Sequence, residues 1–421
     1  MAESARRAQE HLAEIAAVLQ DAMTVRTEDV AVLDSVGRIL AHDVVANVDS
    51  PPFPNSQMDG YGLREEHLGG GEFPVGATIA AGVDPSEVIT DADPHAVLPI
   101  MTGARVPEEI VAIVPVEQCT PPSFDEAEAL EPARVHVPQT PTGQFVRAQG
   151  SDVAAGSVIA AAGTVVGPVL LAALLGQSVR TVSVASTPRV LLTTGGKEIT
   201  DAPGPASIPD SNGPMLQALA RAWGIETVRR LRTNDDLEEL RRDVDAAIAE
   251  HRPDFIVTSG GISHGRFEVI RQLLEPAGGW FGHVTQQPGG PQGLGTYSGV
   301  PVICLPGNPI STLVSFRRFV GPSVQQYIRV SVGAAEETAA VDVEEQTAIL
   351  AEPVTGLSDH REQLRRGVHW VDDHGHVMVR PLGGPGSHLL LQAIEATCLL
   401  VVPSHADLAA GETVKVLKLP R

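Results

Sequence analysis

Two strand-to-turn junctions constrain this chain more than any other feature. Phe255-Ile256-Val257-Thr258 is a short apolar run that leads directly into Ser259-Gly260-Gly261-Ile262-Ser263-His264-Gly265. Further along, Val302-Ile303-Cys304-Leu305 leads into Pro306-Gly307-Asn308-Pro309-Ile310-Ser311. In an open α/β sheet such turns gather at the carboxyl ends of the strands, where ligands bind. Glycine lets the backbone approach an anion closely, and the amides that open the next helix point at it. The pair predicts a phosphate or oxyanion site.

With 421 residues the chain exceeds one ordinary core, and about two to four domains are expected. Apolar residues make up 43%, enough for extensive burial, but aromatics only 4%, so Ala, Val and Leu must fill the cores. The formal charge of −22 argues against a nucleic-acid surface, which needs clustered Lys and Arg. An anionic ligand must be held by local amides and a few cations against the overall field. Cys119, Cys304 and Cys398 stand far apart without a CxxC pair, which excludes a zinc knuckle and a disulfide framework and fits a reducing cytoplasm. The first residues lack the pattern of a signal peptide; Ala2–Ala22 is charged and helical. The span from Val153 to Val179 carries no charge, but Gly156, Gly163, Gly167 and Pro168 interrupt it. A strand and turn over 163–168 followed by a helix from Val169 to Leu175 is expected there, not a membrane span.

Leu12, Ile15 and Leu19 share one face of an amino-terminal helix, and a second short helix is expected near Glu28–Ser35. Residues 48–148 are rich in Pro and Gly with short apolar runs and read as a small β module. From Pro188 strands alternate with helices: a strand at Arg189–Thr193, helices at Gly213–Trp223 and Leu237–Ala249, the strand Phe255–Thr258, a helix at Glu268–Leu274, the strand Val302–Leu305 and a helix at Ser311–Tyr327. That alternation predicts a parallel sheet with crossover helices. Beyond 333, Val368–Val371, His376–Val379, Leu399–Val402 and Thr413–Leu417 read as short strands of a small barrel or sheet.

Several motifs occur in a fixed order. Thr27-Glu28, Gly37-Arg38 and Leu40-Ala41 open the series, followed by Pro52-Phe53-Pro54-Asn55-Ser56-Gln57-Met58-Asp59-Gly60-Tyr61. Met101-Thr102-Gly103-Ala104 with Pro107 and Val114-Pro115-Val116-Glu117 come next. Thr193-Thr194-Gly195, Ile208-Pro209-Asp210-Ser211-Asn212, the Ser259 turn and Leu305-Pro306-Gly307-Asn308-Pro309 complete it. Over nearly the whole chain this series resembles the molybdopterin molybdenumtransferases, the MoeA and gephyrin E-domain family. The resemblance implies an α/β multidomain fold. A linking, dimerising domain (1–47 and 147–186) is interrupted by a small β domain (48–146). A parallel-sheet molybdopterin-binding domain (187–332) and a carboxyl-terminal β-barrel domain (333–421) follow. It also implies a cytoplasmic homodimer and a reaction in which adenylylated molybdopterin and molybdate give molybdenum cofactor and AMP. Mg²⁺ is the companion ion. The cleft would lie between the α/β domain of one subunit and the β domain of its partner.

The resemblance also implies roles for particular residues, each beside a plainer reading. Asp59 would hold Mg²⁺ or orient water; it also suits a turn that accepts backbone N–H groups. Asp152 would be a second carboxylate in the cleft, or a turn residue; the family's preceding Glu is Ser151 here. Thr102 and Gly103 would offer a hydroxyl and an amide to phosphate, or simply end a strand. Asp210, Ser211 and Asn212 form a helix-capping cluster that also lines the pterin pocket. Thr194 and Gly195 belong to that wall. Ser259, Gly260, Gly261 and Ser263 would cradle pterin or phosphate. Glu268 would hold Mg²⁺ near the diphosphate, or be a solvated residue at a helix start. Pro306, Gly307, Asn308 and Ser311 would form the second wall, on a turn fixed by two prolines. In the last domain Gly386-Ser387-His388, with Arg380 and Arg366, resembles the family's turn near molybdate; a surface charge is the plainer reading of both arginines.

Four departures stand out. The family's Lys-Pro-Gly-Lys-Pro loop is Gln287-Pro288-Gly289-Gly290-Pro291, without either lysine. Its Thr-Gly-Asp-Glu is Thr194-Gly195-Gly196-Lys197, Arg266 replaces the first acid of Gly-Asp-x-Asp, and Glu109-Ile110-Val111 replaces Gly-Ala-Asp. Lys197 and Arg266 are therefore expected to supply part of the missing positive charge. The same losses also fit a weakened paralogue that binds the pterin, or a partner, as a scaffold.

Overall fold

A computed structural model describes residues 5–89, 95–196, 199, 205–233, 236–262, 268–334, 345–384 and 386–420. The chain forms two compact units, one of Met1–His42, Ala162–Pro168 and Thr181–Arg421, the other of Asp43–Ala161 and Val169–Arg180.

The larger unit is built on a six-stranded sheet. Its strands are β1 (Arg189–Gly195), β2 (Glu226–Thr233), β3 (Phe255–Ser259), β4 (Trp280–His283), β5 (Pro291–Tyr297) and β6 (Val300–Leu305). They lie in the order β2-β1-β3-β6-β5-β4. The expected parallel sheet is present in β2, β1, β3 and β6. The hairpin-paired β5 and β4 extend it antiparallel, which the alternation of strands and helices did not predict.

Alternate side chains of these strands feed two cores. Val190, Leu192, Phe255, Val257, Ile303 and Leu305 pack on one face, with Ile15 and Leu19 of helix α1 (Ala8–Ala22) and Leu216 and Leu219 of helix α2 (Asn212–Ala222). Leu191, Ile256, Val302 and Cys304 pack on the other, with Leu240 and Val244 of helix α3 (Leu237–His251) and Ile270 and Leu273 of helix α4 (Val269–Leu274). The period of two along each strand is what buries both faces. Each fully buried aliphatic side chain contributes about 1.5–3 kcal/mol, so the strand ends are held by a stiff scaffold. After β6 comes helix α5 (Pro309–Ser315), which continues through a π turn at Phe316–Val320 into helix α6 (Gly321–Ser331).

The carboxyl-terminal strands are β7 (Glu345–Leu350), β8 (Glu362–Val371), β9 (Val377–Pro381), β10 (Cys398–Val402) and β11 (Thr413–Lys418). They close into a five-stranded barrel, β8-β9-β7-β11-β10 and back to β8. Closure removes the edges that a small sheet would expose. Gln286–Gln287 adds as a short parallel strand to β8. One expectation fails near the amino terminus. Residues 28–35 do not form a helix: Thr27–Ala31 is a strand paired antiparallel with Thr181–Ala185, and only Val32–Asp34 turns helically. The partner lies far along the chain, out of reach of a local pattern.

The smaller unit has a three-stranded antiparallel sheet, with Gly60–Leu63 between Leu98–Ile100 and Ala112–Pro115. A Cβ on Gly60 would lie 2.0 Å from the Val114 carbonyl oxygen, so this strand position admits only glycine. The uncharged segment ends in a nine-residue helix, Pro168–Gly176. Among the described residues no helix is long and apolar enough to cross a membrane.

Candidate functional site

Register in the parallel strands assembles the site. Thr194 pairs with Ser259, and Ser259 with Leu305, so the chain leaves three adjacent strands at Gly195, Gly260 and Pro306. The Gly260 N–H donates to the Leu305 carbonyl at 3.1 Å. A Cβ on Gly307 would stand 3.3 Å from the Gly260 Cα, and one on Gly260 would stand 2.9 Å from the Gly195 carbonyl oxygen. With φ at +92°, Gly260 also occupies backbone space that other residues avoid. The two turns therefore pack glycine against glycine and open into one cavity of about 580 Å³.

A polar network locks that arrangement. Asn212 Nδ2 donates to Ser259 Oγ at 3.0 Å and to the Gly307 carbonyl at 2.6 Å, so one side chain ties the two turns together. The hydroxyls of Ser259 and Thr312 lie 3.0 Å apart, and both reach the Pro306 carbonyl, at 3.2 and 2.7 Å. Asp210 accepts from the Thr194 hydroxyl at 3.0 Å and from the Gly213 N–H at 2.9 Å, so its capping role is real. Ser211, Gly261, Glu268, Asn308 and Gly196 also line the cavity. Two buried polar atoms of residues on this wall, Asn212 Oδ1 and Thr233 Oγ1, have no hydrogen-bond partner among the described residues. Such atoms are rare and call for a ligand or water. Ser263, Lys197 and Arg266 lie outside the described residues.

A second cavity, of about 700 Å³, shares Asn308 and Pro291 with the first. Ser311 and Ser387 line it, as does the loop from Gln287 to Gly290. The Ser387 carbonyl accepts the Ile310 N–H at 3.1 Å, so that amide of α5 is engaged by protein. Arg366 is only 3% exposed, and its guanidinium donates to the carbonyls of Leu389 and Gly384. The plainer reading fails, because it is no surface charge; its described bonds brace the segment that carries Ser387. Burial pushes its pKa down. Arg380, on β9, is exposed. Gln287 Oε1 accepts from Gln363 Nε2 at 3.1 Å, which fixes the loop to the barrel.

In the smaller unit, Asp59 Oδ1 accepts the Thr102 N–H at 2.6 Å and the Thr102 hydroxyl at 2.7 Å. These bonds, the backbone one first, hold the exposed Asp59 carboxyl below its ordinary range. The Gly103 N–H donates to the Ser56 carbonyl at 2.8 Å. The donors expected to face phosphate are thus used within the turn, and Asp59 Oδ2 is the atom left to a metal or water. Asp152 Oδ2 accepts from Ser50 Oγ at 3.1 Å in a separate turn; among the described residues no hydrogen bond joins it to Asp59. No three His, Cys, Asp or Glu side chains among the described residues form a metal cage. Sequence reasoning missed Thr312, a buried hydroxyl one helical turn after Asn308, and the wall residues His283, His360 and Arg361 of the second cavity.

An open α/β sheet with paired glycine turns, followed by a closed barrel on one chain, defines a multidomain α/β protein with a site at its strand ends. Comparison with known proteins makes this particular. Residues 4–177 match the MoeA N-terminal region (domain I and II), 183–326 a probable molybdopterin binding domain, and 347–419 the MoeA C-terminal region (domain IV). The chain is 33% identical over 432 aligned residues to molybdopterin molybdenumtransferase 2 of Mycobacterium tuberculosis, covering 98% of this chain and 100% of the relative. Molybdopterin molybdenumtransferase 1 of the same organism is 30% identical, covering 92% and 93%. The fold matches a molybdopterin biosynthesis moeA protein from Pyrococcus horikoshii, with a TM-score of 0.77 at 23% identity over 99% of this chain and 100% of the other. The chain belongs to the MoeA family.

Proposed function

We propose that this chain is a molybdopterin molybdenumtransferase of molybdenum cofactor biosynthesis, which converts adenylylated molybdopterin and molybdate to molybdenum cofactor and AMP. The observation that carries this reading is the single cavity shared by Gly260 and Gly307 and tied by Asn212. Its wall offers the backbone of two glycine turns to a diphosphate.

The residues also suit Mg²⁺. This ion typically uses one or two carboxylates together with substrate phosphates rather than a protein cage, and Glu268 supplies one carboxylate on the cavity wall. In this reading Asp59, with Oδ2 left over from its turn, is a separate metal- or water-holding group. Bound there, Mg²⁺ would neutralise charge on the diphosphate. The protein's own part is positional. Asn212 keeps the two turns in register, Asp210 and Thr194 hold the floor, and Ser311 and Ser387 present hydroxyls to an oxyanion beside the diphosphate. Asp152 is a further carboxylate in the same reading.

A homodimer and a cytoplasmic location belong to the same proposal. Leu33 and Val36, 69% and 50% exposed, are apolar side chains left open in the segment assigned to dimerisation. One observation favours the scaffold reading: position 290 has no cation, and Gln287 is bonded to the barrel. Release of AMP from adenylylated molybdopterin, measured with molybdate and Mg²⁺, decides between the two. Turnover well above background is expected; binding without turnover makes the chain a pterin-binding scaffold.

A further inference from the structure

Thr312 is fully buried and does not line the first cavity. It nevertheless bonds the backbone and the side chain that shape it. Thr312 stands in the first turn of α5, where its N–H donates to the Asn308 carbonyl at 2.9 Å. Its hydroxyl lies 3.2 Å from the same carbonyl, 2.7 Å from the Pro306 carbonyl and 3.0 Å from Ser259 Oγ. Pro306 and Ser259 both line the cavity, one on each of the two turns. A threonine side chain has few rotamers open to it in a helix, so this hydroxyl is aimed by the packing of α5.

Proton supply gives this cluster a direction. A carbonyl only accepts, a hydroxyl has one proton to give, and an amide NH2 has two. The Gly307 carbonyl takes one proton of Asn212, and Ser259 Oγ takes the other. The shortest hydroxyl contact, 2.7 Å, assigns the Thr312 proton to the Pro306 carbonyl. Thr312 Oγ1 then accepts from Ser259, and the bonds run from Asn212 to Ser259 to Thr312 to Pro306. Bonds aligned head to tail in a buried site strengthen one another. We propose that Thr312 is a positioning residue, which holds the end of β3 and the Pro306 turn at the separation that the diphosphate requires. It never touches the ligand and acts through Ser259 and Pro306. An aliphatic side chain of the same size would fill the space and leave the chain without its last link. This rests on the reading that the cavity takes adenylylated molybdopterin.

Isothermal titration of the full chain with adenylylated molybdopterin, without molybdate, tests it. Thr312→Val keeps the volume and removes the hydroxyl; affinity is expected to fall about three- to tenfold, the weight of one hydrogen bond. Thr312→Ser keeps the hydroxyl and is expected to bind within about twofold of the wild type. Thr312→Val and Ser259→Ala are expected to be non-additive, because each cuts the same chain: the double variant loses little more than the weaker-binding single variant. Equal losses in Thr312→Ser and Thr312→Val would give the effect to the methyl group and overturn the proposal, as would two losses that add in full. If Thr312→Val does not fold, Ser259→Ala takes its place, since it cuts the chain one link earlier and leaves α5 intact; wild-type affinity there overturns the proposal too. A wild type that binds the adenylylated pterin, beside a Thr312→Val variant that binds it as tightly, overturns the proposal alone. A wild type that does not bind it overturns the reading of the cavity, and this proposal with it.

Discussion

Gly260 and Gly290 stand in neighbouring cavities, and a methyl group added to each meets a different fate. At Gly260 it enters a left-handed backbone at φ +92° and approaches a carbonyl oxygen to 2.9 Å. At Gly290 it finds ordinary contacts at 3.4 and 3.6 Å. The first glycine is a demand of geometry, because two strand ends must touch there. The second is a choice of chemistry, because the same loop accepts a side chain and lacks one. A shared cavity wall at Asn308 and Pro291 thus joins a part built by backbone with a part built by side chains. The first can change little; the second can exchange its charged groups.

The strongest way to break this contrast is Gly260→Ala. The strained backbone alone costs on the order of 1–3 kcal/mol, so thermal unfolding should shift downward and affinity for adenylylated molybdopterin should fall furthest of any single change. Next comes Asn212→Ala, which removes both donors that bridge Ser259 and Gly307. A loss of about 1–3 kcal/mol, or roughly five- to 150-fold in affinity, is expected by isothermal titration with the adenylylated pterin. A smaller effect concerns the Asp59 turn. Its carboxyl is depressed by Thr102, so the bonds contribute above the ordinary carboxylate pKa and are lost as pH falls through the lowered folded value. Thr102→Val removes the hydroxyl donor and should move the Asp59 midpoint upward, toward the ordinary value, in an NMR titration. Gly290→Ala should do least, changing stability by no more than about 0.5 kcal/mol. A large loss there would erase the distinction between the two glycines.

The sequence made the first cavity legible and the second only in part, for a physical reason. Phe255–Thr258 and Val302–Leu305 announce themselves because both faces of a parallel strand are buried and the turn residues follow at once. The strand Glu226–Thr233 did not, because it is an edge strand whose Arg229 and Arg230 face solvent and dilute the apolar run. Residues 28–35 looked helical because their strand partner lies at Thr181–Ala185. His283, His360 and Arg361 gave no signal at all; they reach one cavity from separate segments, so no local spacing relates them. Arg366 showed its charge but not its burial beneath Leu389 and Gly384.

The most direct test is a crystal structure of the protein with adenylylated molybdopterin. The account predicts the diphosphate seated against the Gly260 and Gly307 turns, in the hollow they share, with Asn212 at its edge and no shift of either turn. A diphosphate bound elsewhere, with those two glycines still in contact and their hollow filled only by water, would contradict it.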